Sequence, residues 1–109
     1  MISAEAIRGH IDVLIMSQLL DAPSYAYAIG KTITDVAGGE YTMKQTTLYS
    51  ALKRLEAAGQ VEAFAGTSTS GKPRTYYRIT TAGLDAFTVK CDEWRLTKKI
   101  IDRFTEGIL

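Results

Sequence analysis

Apolar residues recur at helical spacing in four stretches of this chain, and at alternating spacing in one short region between the third and the fourth. Over residues 4–20, Ile7, Ile11, Leu14 and Ile15 form one stripe, and Val13, Met16 and Leu20 form a second. A helix apolar on two sides lies centrally in a core or is shared between a core and a partner subunit. Pro23 ends this helix, and Ser24 is placed to cap a second one over residues 25–37. Tyr25, Ala28, Ile29, Ile33 and Val36 mark its buried side, and Gly30 in its middle permits close packing by a neighbouring helix. Gly38 and Gly39 end it, after which Tyr41, Thr42 and Met43 suit a short strand.

Thr46 is placed to cap a third helix that Gly59 terminates. At 100° per residue, Leu48, Leu52 and Leu55 point to one side, with Ala51 and Ala58 nearby. The opposite side carries Thr46, Ser50, Lys53 and Ala57, flanked by Tyr49 and Arg54. Residues 61–65 and 74–80 then read as two antiparallel strands joined by the polar loop 66–73. Tyr76 and Tyr77 alternate faces there, one toward the core and one outward. Thr80 or Thr81 caps a last helix running from residue 82 to near the C-terminus. Its apolar residues keep a seven-residue beat, Phe87, Trp94, Ile101 and Ile108, with Leu84 and Cys91 in the companion row. Lys98 interrupts that row, and Phe104 lies just off it. Such a seam packs against a second chain or, in part, against the first helix of its own.

Helix, short strand, glycine-bounded loop, strand and helix is the order of a winged helix. The expected fold class is therefore α+β, mostly α: a winged helix-turn-helix over residues 1–80, with a C-terminal dimerisation helix over 81–109 in the same compact unit. A hydrophobic share of 46% argues against disorder. No apolar run approaches the ~18 residues of a membrane span, and the N-terminus has neither the basic start nor the apolar stretch of a secretory signal. A lone cysteine, Cys91, excludes an internal disulfide and fits a reducing cytoplasm. With one His and one Cys, no metal site or cofactor is expected, and no catalytic constellation is visible, which speaks against an enzyme.

The net charge of +1 hides an uneven distribution. Residues 1–43 hold two basic and five acidic groups, and residues 79–109 hold five of each. Residues 44–78 hold six basic groups (Lys44, Lys53, Arg54, Lys72, Arg74 and Arg78) against Glu56 and Glu62. Positive charge thus gathers in the winged segment, where phosphate contact requires it. The candidates for DNA contact are Lys44, Thr46, Thr47, Tyr49, Ser50, Lys53 and Arg54 at the third helix. Lys72 and Arg74 join them from the loop, and Tyr25 and Tyr27 from the start of the second helix. Lys and Arg reach guanine edges or phosphates, whereas Ser, Thr and Tyr hydroxyls more often hold phosphates. Arg78 can instead be structural, and packing is an alternative role for Tyr25. An ordinary mobile hairpin would show the same loop composition, and a winged-helix module that docks protein is the alternative function.

Three segments carry a resemblance to a known family: TLYSALKRLEAAGQVE (47–62), KPRTYYRIT (72–80) with the following Thr80-x-x-Gly83, and SYAYAIGKTI (24–33). In combination they resemble the PadR family of bacterial transcriptional regulators over nearly the whole chain. The short C-terminal part, with a tryptophan near the middle of its helix, is most similar to the small subgroup that includes the multidrug-sensing repressor LmrR. The resemblance implies a cytoplasmic homodimer in which the last helix packs on the first helix of the other subunit. It also implies repression at a palindromic double-stranded operator, relieved by a small effector. In the subgroup, paired tryptophans line an interface cavity for planar aromatic compounds. Trp94 falls in that place, with Ile7, Ile11, Phe87 and Cys91 as its expected neighbours. Filling the dimer core is the other role open to Trp94, and Asp92 or Glu93 beside it would favour cationic ligands.

Overall fold

A computed structural model describes residues 1–108. The expected first helix is broken into α1 (Ala4–Ile7) and α2 (Ile11–Met16), with 3-10 turns at Arg8–His10 and Ser17–Leu19. The first break centres on Gly9, a weak helix former, and His10, whose φ of −117° and ψ of 2° leave the helical region. At the second, the Ser17 hydroxyl donates to the Leu14 carbonyl at 2.9 Å and the Gln18 side chain at 3.2 Å, competing with the helix ladder.

Ser24 does not cap the second helix. Ser24–Tyr25 forms a two-residue strand, β1, and α3 (Ala26–Val36) begins after Tyr25 with no side-chain cap. Pairing of β1 with β3 (Pro73–Ile79), Ser24 opposite Tyr77 and Tyr25 opposite Tyr76, uses the backbone that a cap would have left unpaired. Ile29 and Ile33 are buried as the periodicity requires, whereas Ala26 is buried in place of Ala28, which is half-buried. Val36, expected in the same row, is exposed and lines an apolar groove with Ile7, Leu14 and Tyr41. Residues 41–43 make no strand, the third strand of the sheet being supplied by residues 24–25 instead.

The next helix, α4 (Gln45–Ala57), starts one residue before Thr46, with Lys44 at the N-cap and no side-chain cap. Leu48, Ala51, Leu52 and Leu55 are its buried side. Gly59, at φ 72°, ends it: its N–H donates to the Glu56 carbonyl and the Gln60 N–H to the Leu55 carbonyl, both at 2.9 Å. That pair is the Schellman closure, and only glycine takes the left-handed conformation cheaply. Strands β2 (Val61–Thr67) and β3 pair antiparallel from Val61–Ile79 to Thr67–Pro73 in the order β1-β3-β2. β2 runs two residues further than expected and β3 starts one residue earlier, so the loop contracts to a turn closed by the Ser68 N–H on the Lys72 carbonyl at 2.8 Å. Val61 and Tyr77 face the core, and Glu62, Phe64, Tyr76 and Arg78 face outward.

Ile15, Met16, Ile29, Leu52, Leu55 and Val61 are the largest fully buried side chains, drawn from four different elements. Each contributes about 1.5–3 kcal/mol relative to its exposed state. The last helix, α5 (Thr81–Thr105), is tied to this body at its first turn. Thr80 donates its hydroxyl to the Gly59 carbonyl at 2.6 Å and accepts from the Gly83 N–H at 3.0 Å. Gly83 is buried directly against the Gln60 carbonyl, and a methyl group there would also stand 2.7 Å from Ile79. Phe87 packs on the core, and the Trp94 ring meets His10 edge-on at 4.9 Å. Past Trp94, α5 extends away from the body, giving a molecule of 56 × 29 × 22 Å. No helix among the described residues is long and apolar enough to cross a membrane.

Overpacking at the junction sets a stability prediction. Gly83→Ala lowers the unfolding free energy by about 2 kcal/mol in a urea titration. Gly9→Ala, with nothing within 4 Å of the added methyl, leaves it level or raises it by up to ~1 kcal/mol.

Candidate nucleic-acid interface

The exposed side of α4 presents Tyr49, Lys53, Thr46 and Ser50 in sequence around the helix, opposite its three buried leucines. On one flank, Thr46, Thr47, Ser50 and Arg54 share a cleft with Arg8 and Ile11. Arg8 was not among the residues singled out from sequence. Its only sequence signal is a cation in a mostly acidic N-terminal segment, and the cleft exists because the Arg8–His10 turn and the start of α2 lie beside α4.

On the other flank, Tyr49 shares a cleft of about 590 Å³ with Tyr25, Ala26, Tyr27, Arg74, Thr75 and Tyr77. Tyr27 and Tyr49 are exposed, while Tyr25 and Arg74 are half-buried. Tyr77, at the edge of the cleft, has its phenol pushed above the ordinary tyrosine range, first by burial and then by Glu56 and Tyr49. The exposed face of α4 is thus bordered by the start of α3 and by β3 of the wing.

The cations in residues 44–78 divide into two groups. Arg54 donates both terminal nitrogens to Asp12 of α2, at 2.7 and 2.9 Å, and that carboxylate raises the guanidinium further above its ordinary range, chiefly through the hydrogen bond. Arg78 pairs with Glu62 at 3.1 Å across the β2–β3 ladder and covers the Phe64 ring. Both charges are compensated within the fold. Among the described residues, Lys44, Lys53, Lys72 and Arg74 have no ion-pair partner. They stand at the start of α4, on its exposed face, at the wing turn and at the start of β3.

The residues expected around a small ligand are spread out within one chain. Ile11 belongs to the core at 7% exposure, and Ile7 and Phe87 pack against that core. Cys91 is half-buried on α5. Trp94 is 44% exposed, and it and Ile7 line separate clefts. Asp92, a candidate partner for a cationic ligand, pairs with Arg95 at 3.0 Å.

The family model for the PadR-like transcriptional regulators matches residues 15–89, from α2 through the wing into the first turns of α5. A transcriptional regulator from Clostridium thermocellum has the same fold at a TM-score of 0.89 and 44% identity, over 97% of this chain and 100% of that one. A PadR family transcription regulator from Clostridium difficile is similar at a TM-score of 0.75 and 35% identity, covering 87% and 97% of the two chains. An uncharacterised protein of Lysinibacillus sphaericus is 36% identical over 99% of each chain. These likenesses make the chain a member of the PadR-like family of transcriptional regulators, which are DNA-binding proteins and not enzymes.

Proposed function

We propose that the chain acts as a homodimeric repressor at a palindromic operator, released by a small ligand bound between the subunits. In this reading α4 of each subunit enters a major groove, with Tyr49, Ser50 and Lys53 toward base edges and phosphates. Lys44, Lys72 and Arg74 meet the backbone on either side, and Tyr27 and Thr46 add hydroxyls. Arg54 acts through its pair with Asp12, holding α4 to α2, more than as a free cation. The observation that carries the reading is the set of four uncompensated cations on α4 and the wing, Lys44, Lys53, Lys72 and Arg74, left over once Arg54 and Arg78 have been paired within the fold. A handful of phosphate contacts from one winged helix binds weakly, and two half-sites combine them.

Support for the dimer comes from α5, where Val89, Leu96, Ile100, Ile101 and Phe104 are exposed, with Ile108 just beyond its end. So many exposed large apolar side chains on one helix are a partner-binding feature. Trp94 stands where the covered and uncovered halves of α5 meet, which suits a planar aromatic ligand stacked at the subunit boundary, as in the small subgroup that the sequence resembles.

Three outcomes are expected. Lys53→Ala weakens operator binding in a fluorescence-anisotropy titration and lowers the salt slope by about two for a dimer; an unchanged affinity and slope remove α4 from the interface. The double substitution Ile101→Asp with Phe104→Asp yields a monomer in sedimentation velocity while circular dichroism keeps its helical signal. Planar aromatic dyes quench the fluorescence of Trp94, the chain's only tryptophan, and lower operator affinity in the same concentration range; a varied panel without quenching leaves Trp94 as interface filler.

A further inference from the structure

One feature of the wing lies outside the contacts assigned above: a continuous stack of rings and guanidinium groups on the outward face of the sheet. It begins at Arg78, fastened to Glu62 at 3.1 Å and lying 4.7 Å over the Phe64 ring. Phe64 stacks on its cross-strand neighbour Tyr76, with centroids 5.8 Å apart and planes 23° apart. Tyr76 meets its other cross-strand neighbour, Tyr25 of β1, edge to face at 5.7 Å and 74°. The stack ends at Arg74, whose guanidinium lies 3.7 Å over the Tyr25 ring and 5.8 Å from the centre of Tyr76.

Gly66 makes this arrangement possible. It stands opposite Arg74 in the ladder, and a side chain there would collide with the Tyr76 ring. With no side chain across the strand, Arg74 is left to the β1 side, where Tyr25 waits. A guanidinium stacked on a ring by its face keeps its in-plane N–H groups free to donate, and Arg74 has no ion-pair partner among the described residues.

We infer that Tyr25 and Tyr76 are positioning residues for Arg74, holding its guanidinium by ring stacking over the cleft beside α4 so that it meets a backbone phosphate already oriented. Tyr25 then works through its ring and not through its hydroxyl. Fixing a long side chain before DNA arrives removes part of the ordering cost of binding. A half-buried stack also strengthens the cation–ring attraction relative to one open to water. The inference rests on the reading of the wing as a phosphate-contacting element.

The test uses the full-length protein and a duplex that the wild type selects from a random-sequence pool, titrated between 50 and 200 mM salt. Tyr25→Phe and Tyr76→Phe keep the rings and bind within about twofold of wild type. Tyr25→Leu binds roughly fivefold to thirtyfold more weakly, since each of two half-sites loses one cation–ring contact, while its salt slope stays at the wild-type value. Arg74→Ala loses affinity and about two units of slope per dimer. Arg74→Lys keeps the slope and loses affinity, because an ammonium has no planar face to stack. Equal losses in Tyr25→Phe and Tyr25→Leu would overturn the inference in favour of a hydroxyl contact; full affinity in Tyr25→Leu would overturn it outright. Should Tyr25→Leu fail to fold by circular dichroism, Arg74→Lys decides, and wild-type affinity there is fatal. A wild type that selects no duplex sinks the regulatory reading as well; one that binds while these variants are silent sinks this inference alone.

Discussion

Gly83 lies so close to the Gln60 carbonyl that no side chain fits between them, and that contact sets where α5 leaves the body. The surrounding bonds reinforce it. Gly59 closes α4, Thr80 ties the Gly59 carbonyl to the Gly83 N–H, and the Thr80 N–H returns to the Gln60 carbonyl at 3.1 Å. One small knot therefore joins the end of α4, the last strand of the wing and the first turn of the long helix. Through it, the direction of α5 and the orientation of α4 are coupled, so in the proposed dimer a partner held by α5 would also set the attitude of α4. This would be the geometric condition for the two α4 helices of that dimer to reach two half-sites together.

Formal charge along the chain overstates what DNA would meet. Two of the six cations in residues 44–78 serve the fold: Arg54 clamps α2 through Asp12, and Arg78 clamps the hairpin through Glu62. The remaining four are distributed over α4 and the wing, and Arg8 adds a fifth beside Thr46 and Ser50. Even Arg74, which has no carboxylate, is not loose, because aromatic rings take the place of an acid in holding it. Stacking restrains the group without neutralising it, which a salt bridge cannot do.

Along α5 the physical balance changes from one end to the other. Up to Trp94 the helix is held by Phe87 on the core and by Trp94 against His10, although Leu84 and Val89 are already exposed. Beyond, Ile100, Ile101, Phe104 and Ile108 lie open. Burial of each such side chain is worth about 1.5–3 kcal/mol, enough in sum to offset the ordering costs of association for the proposed dimer.

Most of the fold was legible in the residue pattern, because periodicity and glycine placement are local properties. The buried leucines of α4, its closure at Gly59, the Thr80 cap and the alternation of Tyr76 and Tyr77 follow from side-chain spacing and backbone conformation within a few residues. The family and the α4 face were visible for the same reason. What the pattern misjudged was competition between distant partners. Ser24 became strand because β3 offered its backbone a ladder, Val36 is exposed because α3 outruns the core, and the first helix breaks where Gly9 and His10 leave the helical region. Charges are read from sequence singly, whereas pairing joins Arg54 to Asp12 across 42 residues. The stack of Arg74 on Tyr25 was equally hidden, since only the sheet's register brings β1 beside β3. Local chemistry determined the elements; contact between elements decided which side chains were left free to act.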